Sequence, residues 1–234
     1  MTLLLHKEID KLKKEMLALS AVVEEALRKA VSALERHDVA RAREVIAADE
    51  RIDQLEVDLE EAALKVIALH QPVAIDLRFI ISVLRINADL ERIGDLAVNI
   101  AERAIFLAGQ PAPGAPIDFA PMADKTREML ALSLDAVVNV DTALARRVIE
   151  MDDEVDAMNR RMYCAVSEEI RRDPGDVEAL LHLLSASRHL ERVADHATNI
   201  AEDVIYLVEG NIVRHKPEEY PAGETCRGEV PAHE

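Results

Sequence analysis

The sequence predicts an all-α fold, two tandem three-helix bundles made of six long antiparallel helices. Three observations point there. First, residues 76–109, DLRFIISVLRINADLERIGDLAVNIAERAIFLAG, return one hundred positions later as DVEALLHLLSASRHLERVADHATNIAEDVIYLVEG (176–210), and ERIGDLAVNIAE and ERVADHATNIAE agree at eight of twelve positions without a gap. A match at fixed offset over such a stretch is an internal repeat. Second, apolar residues recur in alternating steps of three and four, the spacing of a helix seam. Third, half the residues are hydrophobic, yet there are only three Phe, three Tyr, seven Gly and no Trp. Ala, Leu, Val, Ile, Glu and Arg dominate, the composition of long packed helices.

The first helix is expected over about 3–35, with a seam at Leu5, Ile9, Leu12, Met16, Leu19, Val23, Ala26, Ala30 and Ala33. Asp38 is placed to cap the second helix, about 39–70, whose seam reads Val45, Ala48, Ile52, Leu55, Leu59, Ala62, Val66 and Leu69. Pro72 opens the third, where a missing N–H costs nothing. Its seam is Phe79, Val83, Ile86, Leu90, Ile93, Ala97, Ile100, Ala104 and Leu107, and a second apolar stripe (Leu77, Ile80, Leu84, Val98, Ile105) predicts packing on two sides. Asp118 and Pro121 mark the start of a shorter fourth helix, and Asp141 caps the fifth. ARRVIEMDDEVD (145–156) echoes AREVIAADERID (42–53), so the second and fifth helices are also repeat partners. Asp173 and Pro174 supply an N-cap and a first-turn proline to the sixth. Its seam runs Ala179, Leu183, Ala186, Leu190, Val193, Ala197, Ile200, Val204 and Leu207.

The stretch QPAPGAPID holds three prolines and a glycine and reads as a linker. The chain therefore divides into a first repeat (1–109), a linker (110–117), a second repeat (118–210) and a polar, Pro-rich tail (211–234) expected to be mobile. A formal net charge of -17 argues against a nucleic-acid partner, whose phosphates would be repelled. The opening MTLLLHKEIDKLKKEM is neither a secretory signal nor a membrane span. Cys164 and Cys226 show no spacing pattern, which points to a reducing, cytoplasmic compartment without a disulfide framework or a zinc site.

The candidate site residues are acidic. Glu91, Asp95 and Glu102 fall within a narrow arc of the third helix, and Glu191, Asp195 and Glu202 repeat them. The second helix carries Asp49 and Asp53, and the fifth carries Asp152 and Asp156. Each half thus has two acid pairs at i, i+4 spacing on neighbouring helices, and like charges so placed repel. One such pair is ordinarily a solvated face. Four at equivalent positions in two diverged copies, flanked by apolar residues, point to a cation site. Oxygen donors suit hard divalent or trivalent ions such as magnesium, manganese or iron. Asn99 and Asn199 follow each second Asp by four residues as further possible donors. No histidine has Glu three residues before it, and no phosphate loop, nucleophile elbow or C-x-x-C pair occurs. No catalytic constellation is legible.

At DLRFIISVLRINADLERIGDLAVNIAERA and HLERVADHATNIAEDVIYLVEG the chain resembles the PhoU family, and the likeness runs from residue 1 to about 215. The resemblance implies multinuclear metal clusters held by Asp49, Asp53, Glu91 and Asp95, and by Asp152, Asp156, Glu191 and Asp195. It implies a cytoplasmic, homodimeric, non-enzymatic negative regulator linking the ATP-binding subunit of the phosphate ABC transporter to the phosphate sensor histidine kinase. Val193-Ala194 stands where the family has Ile-Gly, which bears on how closely helices pack at the second site. Two other readings stand beside this one, a metal-dependent enzyme using the carboxylate clusters and a purely structural helical scaffold.

Overall fold

The computed structural model describes residues 3–110 and 118–211. Six helices follow one another: α1 (Leu3–Arg36), α2 (Val39–His70), α3 (Ala74–Ala108), α4 (Ala120–Asn139), α5 (Thr142–Arg172) and α6 (Val177–Glu209). Among the described residues there is no strand. Helices α1, α2 and α3 pack on one another, as do α4, α5 and α6, and α3 lies along α6. One hydrophobic core runs through both halves rather than stopping at each bundle. The linker residues 111–117 and the tail from 212 onward lie outside the described residues.

The helix ends follow local chemistry. Asp38 Oδ1 accepts from the Arg41 amide at 3.0 Å, and Asp141 Oδ1 accepts from the Ala143 and Leu144 amides at 2.9 and 3.0 Å. The turns before them match: His37 (φ 52°) and Val140 (φ 53°) are left-handed, and the amides of Asp38 and Asp141 reach back to Ala33 and Ala136 at 3.0 Å. That is the helix-ending motif in which a left-handed residue satisfies orphan carbonyls, here without glycine. Two expected starts shift. Pro72 precedes α3 rather than opening it, with Val73 at the cap position, and Asp173 caps a short 3-10 turn (Pro174–Asp176) before α6 begins.

Burial follows the predicted seam of α1 in full, from Leu5 to Ala33, and nearly so in α3 and α6, where Phe79 and Leu183 are half-buried. In α2 the inward stripe differs. Ala48 and Leu69 are exposed, and the buried residues are Ala42, Val45, Ile52, Leu59, Ala63 and Val66. This stripe passes through positions 49 and 56, so Asp49 and Glu56 occupy seam positions. Helix α5 repeats the plan with Ala145, Val148, Met151, Val155, Met162 and Val166 buried, and Asp152 and Asn159 at the matching steps. An apolar periodicity search passes over these steps because their residues are polar.

Helix α3 also packs on α6, a contact that the apolar stripes did not predict and that carries several polar pairs. Arg85 pairs at 3.2 Å with Asp203, which is 1% exposed, and lies over the Tyr206 ring at 5.1 Å. The Asp89 carboxylate is 2.8 Å from His196 Nδ1 and accepts from the Asn199 amide at 3.3 Å. Phe106 stacks on His182 with ring centroids 3.6 Å apart. The histidines 182 and 196 are thus packing and hydrogen-bonding residues. Cys164 of α5 is disulfide-bonded, against the expectation of a lone thiol at that position. Cys226 lies outside the described residues.

Gly94 of α3 faces α2, where an added Cβ would stand 3.1 Å from both Cδ1 and Cγ2 of Ile52. In the repeat, Ala194 takes the place of Gly94 and Val155 that of Ile52, both fully buried. A methyl gained on one helix is matched by a methyl lost on its neighbour, so both halves keep the α2–α3 and α5–α6 helices close. A double-mutant cycle in denaturant unfolding should therefore give a favourable coupling of about 1 kcal/mol between Gly94→Ala and Ile52→Val. Additive effects would show that the two positions do not share volume.

Candidate metal centre

Antiparallel packing of α2 on α3 brings the acid pairs of the first half together. Asp49 lies in the field of Asp53 and Asp95, and Glu91 in that of Asp95, Glu56 and Asp53. Burial raises the Asp49 and Glu91 carboxyls above their ordinary values, and these like charges raise them further. In the second half Asp152 faces Asp195 and Asp156, while Glu191 faces Asp195 and Asp156. Asp152 is pushed up to about 7, first by burial in the α5 seam, then by Asp195 and Asp156. Glu191 is raised by burial and then by Asp195 and Asp156, and Asp195 by burial and then by Asp156.

Sequence reasoning missed Glu56. Its backbone carbonyl and Oε1 accept from the Asn87 amide at 2.9 and 3.2 Å, and burial, Glu60 and Asp53 raise its carboxyl. The repeat places Asn159 and Ser187 at these positions, and the Ser187 hydroxyl donates to Asn159 Oδ1 at 3.0 Å. A polar bridge between neighbouring helices is kept in both halves with its donor and acceptor types changed. Aligning the two copies at positions 56 and 159 would have revealed it. The first site therefore carries one more carboxylate than the second. The second carries Thr198 where the first has Val98, and the Thr198 hydroxyl offsets part of the rise at Asp152.

The remaining candidates stand apart. Glu102 is exposed, pairs with Arg103 at 3.2 Å, and its charge acts on His189 of α6. Glu202 is half-buried and is not among the leading charges on Asp152, Glu191 or Asp195. The Asn99 amide donates to its own helix at the Asp95 carbonyl, 2.9 Å away, and Asn199 reaches across to Asp89 of α3. Arg92 lies 3.2 Å from Asp95 and 3.4 Å from Glu91, and Arg160 lies 3.6 Å from Asp156.

The donor set fits a hard cation: it is all oxygen, its burial is partial, and its charges repel one another with exposed arginines and, at Asp195, His196 beside them. The carboxylates as placed do not close on a point. Among the described residues no three His, Cys, Asp or Glu side chains converge enough to hold one ion. An ion would have to draw them in by rotation about their side-chain bonds.

The raised carboxyls fix a sign for stability. Where the native state holds a proton that the unfolded state has lost, stability falls as pH rises. For Asp152 that window runs from the ordinary aspartate value, 3.8, to about 7. Chelator-treated protein should thus melt higher at ~pH 5 than at ~pH 7.5, and Asp152→Asn should flatten the slope. An unchanged slope in that variant would place the relevant titration elsewhere.

The comparisons with known proteins bear on both halves. The family model described as the PhoU domain matches residues 16–104 and again 119–204. A relative from Aquifex aeolicus, named phosphate-specific transport system accessory protein PhoU homolog, is 42% identical over 214 residues, covering 91% of this chain and 96% of the relative. The crystal structure of PhoU from Pseudomonas aeruginosa superposes with a TM-score of 0.86 at 35% identity, covering 88% of this chain and 99% of that one. The structure of the phosphate transport system regulatory protein PhoU from Streptococcus pneumoniae gives 0.82 at 28% identity, covering 89% and 99%.

Proposed function

Since the chain belongs to the PhoU family, we propose that it is an accessory regulator of phosphate transport, a cytoplasmic negative regulator of phosphate uptake and of the phosphate-starvation response. The observation that supports this is the match of both repeats, in a chain aligned almost end to end with a relative named as a phosphate-specific transport system accessory protein. In this reading the protein acts by contact. It couples the ATP-binding subunit of the phosphate ABC transporter to the sensor histidine kinase, as a homodimer, and catalyses no reaction.

The acidic sites hold divalent or trivalent metal, with iron, manganese and magnesium as the candidates. Asp49, Asp53, Glu91 and Asp95 would hold it in the first half, with Glu56 beside them, and Asp152, Asp156, Glu191 and Asp195 in the second. The metal would supply positive charge that reverses the repulsion between neighbouring helices. This chain's residues do the rest: the seam positions of Asp49 and Asp152 keep the carboxylates half-dry, and Gly94 and Ala194 let the helices approach.

Deleting the gene should leave a phosphate-starvation reporter switched on in phosphate-rich medium, and the purified protein should bind the cytoplasmic parts of the kinase or the transporter ATPase. Normal repression in the deletion strain, with no binding to either protein, would defeat the reading and favour a metal-dependent enzyme. Manganese or iron should raise the melting temperature of chelator-treated protein, and Asp95→Ala with Asp195→Ala should abolish that rise. An equal rise in the double variant would move the metal away from these helices.

A further inference from the structure

We infer that Cys164 of α5 and Cys226 of the C-terminal tail form a reversible disulfide, which ties the tail to the second bundle under oxidising conditions and releases it under reducing ones. Cys164 is disulfide-bonded, and the chain has two cysteines. Within a single chain, Cys226 is then the partner. The pairing stands on these two facts. That the bond acts as a switch rests on the cytoplasmic placement proposed above.

Cys164 has no place in the core. It lies two residues from buried Met162 and two from buried Val166, so it points to the opposite side of α5. By the spacing that matches residues 145–156 with 42–53, its counterpart in α2 is Glu61, which is exposed. The bundle therefore asks nothing of this side chain beyond its bond. The tail is long enough to reach it. The Arg146–Glu209 ion pair, at 2.8 Å, sets the end of α6 beside the first turns of α5. Cys164 lies eighteen residues further along α5, about 27 Å away. Sixteen residues carry the chain from Gly210 to Cys226, and extended they span up to about 53 Å. Closure needs no movement of either helix.

The compartment decides what such a bond is for. Cytoplasmic thiols are held reduced, and a disulfide formed there is transient, serving catalysis or redox sensing. No catalytic constellation accompanies Cys164, which leaves sensing. The co-reactant is a low-molecular-weight thiol and its disulfide. In opening, the thiolate of one small thiol attacks a sulfur of the bridge, the S–S bond breaks, and the departing cysteine takes up a proton. A second small thiol attacks the mixed disulfide, and one small-molecule disulfide leaves with both cysteines reduced. Closing runs the same steps in reverse, oxidising the two cysteines and reducing one small-molecule disulfide to two thiols. The end held at Cys226 is thus fastened to or freed from the outer side of α5 without any change in the helices.

Thiol labelling and peptide mass mapping of the full chain test this. Protein oxidised with glutathione disulfide should yield one cross-linked peptide pair containing Cys164 and Cys226, absent after dithiothreitol. Maleimide labelling of both cysteines should rise at least about tenfold on reduction, and in Cys226→Ser the Cys164 thiol should label without it. In host cells quenched with acid, both cysteines should be thiols before exposure to a thiol oxidant and bridged to each other after it. Two free thiols in the oxidised protein, or a dimer linked through Cys164 on a non-reducing gel, would overturn the pairing. A bridge already closed in unstressed cells would overturn the switch. The reporter in the deletion strain reads the regulatory role separately, so neither result bears on it.

Discussion

A carboxylate set in the inward stripe of a helix is the constraint on which the structure turns. Asp49 and Asp152 sit at seam positions of α2 and α5, where the neighbouring steps are buried Val45, Ile52, Val148 and Val155. Each faces a second helix that brings its own acids, so burial and like charge act in the same direction. Burying such charge without a partner costs free energy that a marginally stable fold does not readily spare. The fold keeps these groups half-exposed, spaces them apart, and leaves their neutralisation to protons or to a cation.

The packing around the sites makes this arrangement possible. Close approach of α2 to α3 rests on Gly94 against Ile52, and the second half solves the same problem with Ala194 and Val155. Polar bridges, Asn87 to Glu56 and Ser187 to Asn159, fix the register one turn from the acids. The two bundles are joined by α3 against α6, where Asp203 is buried against Arg85 and Asp89 is shared by His196 and Asn199. Each half thus presents its acid site on the side of α3 or α6 that faces its own bundle, while the opposite side is committed to the other half.

Much of this was legible in the sequence, and what was not has definite causes. The repeat and the three-four spacing gave six helices and the seams of α1, α3 and α6, because aliphatic periodicity is a strong signal. Asp38 and Asp141 were readable as caps because a lone Asp before an apolar run has one local use. The stripe of α2 was right at Val45, Ile52, Leu59 and Val66 and one position off at the steps between them, because its true course runs through Asp49 and Glu56, which a hydrophobic pattern skips. The α3–α6 contact was invisible for the same reason: Arg85, Asp89, His196 and Asp203 read as a solvated face until the helices are placed side by side. The grouping of Asp49, Asp53, Glu91 and Asp95 was foreseen from spacing, whereas Glu56 required comparing the copies, and Glu102 falls outside the group because its neighbours are Arg103 and His189.

The central claim is that the acid clusters of α2 with α3 and of α5 with α6, half-buried at Asp49, Glu91, Asp152 and Glu191, are cation ligands. Anomalous scattering from crystals of protein purified without chelator, collected on either side of the iron and manganese absorption edges, tests it most directly. The account predicts anomalous peaks in both halves, between Asp49 and Asp95 and between Asp152 and Asp195. Crystals grown with added iron and manganese that show no peak at either place would contradict it.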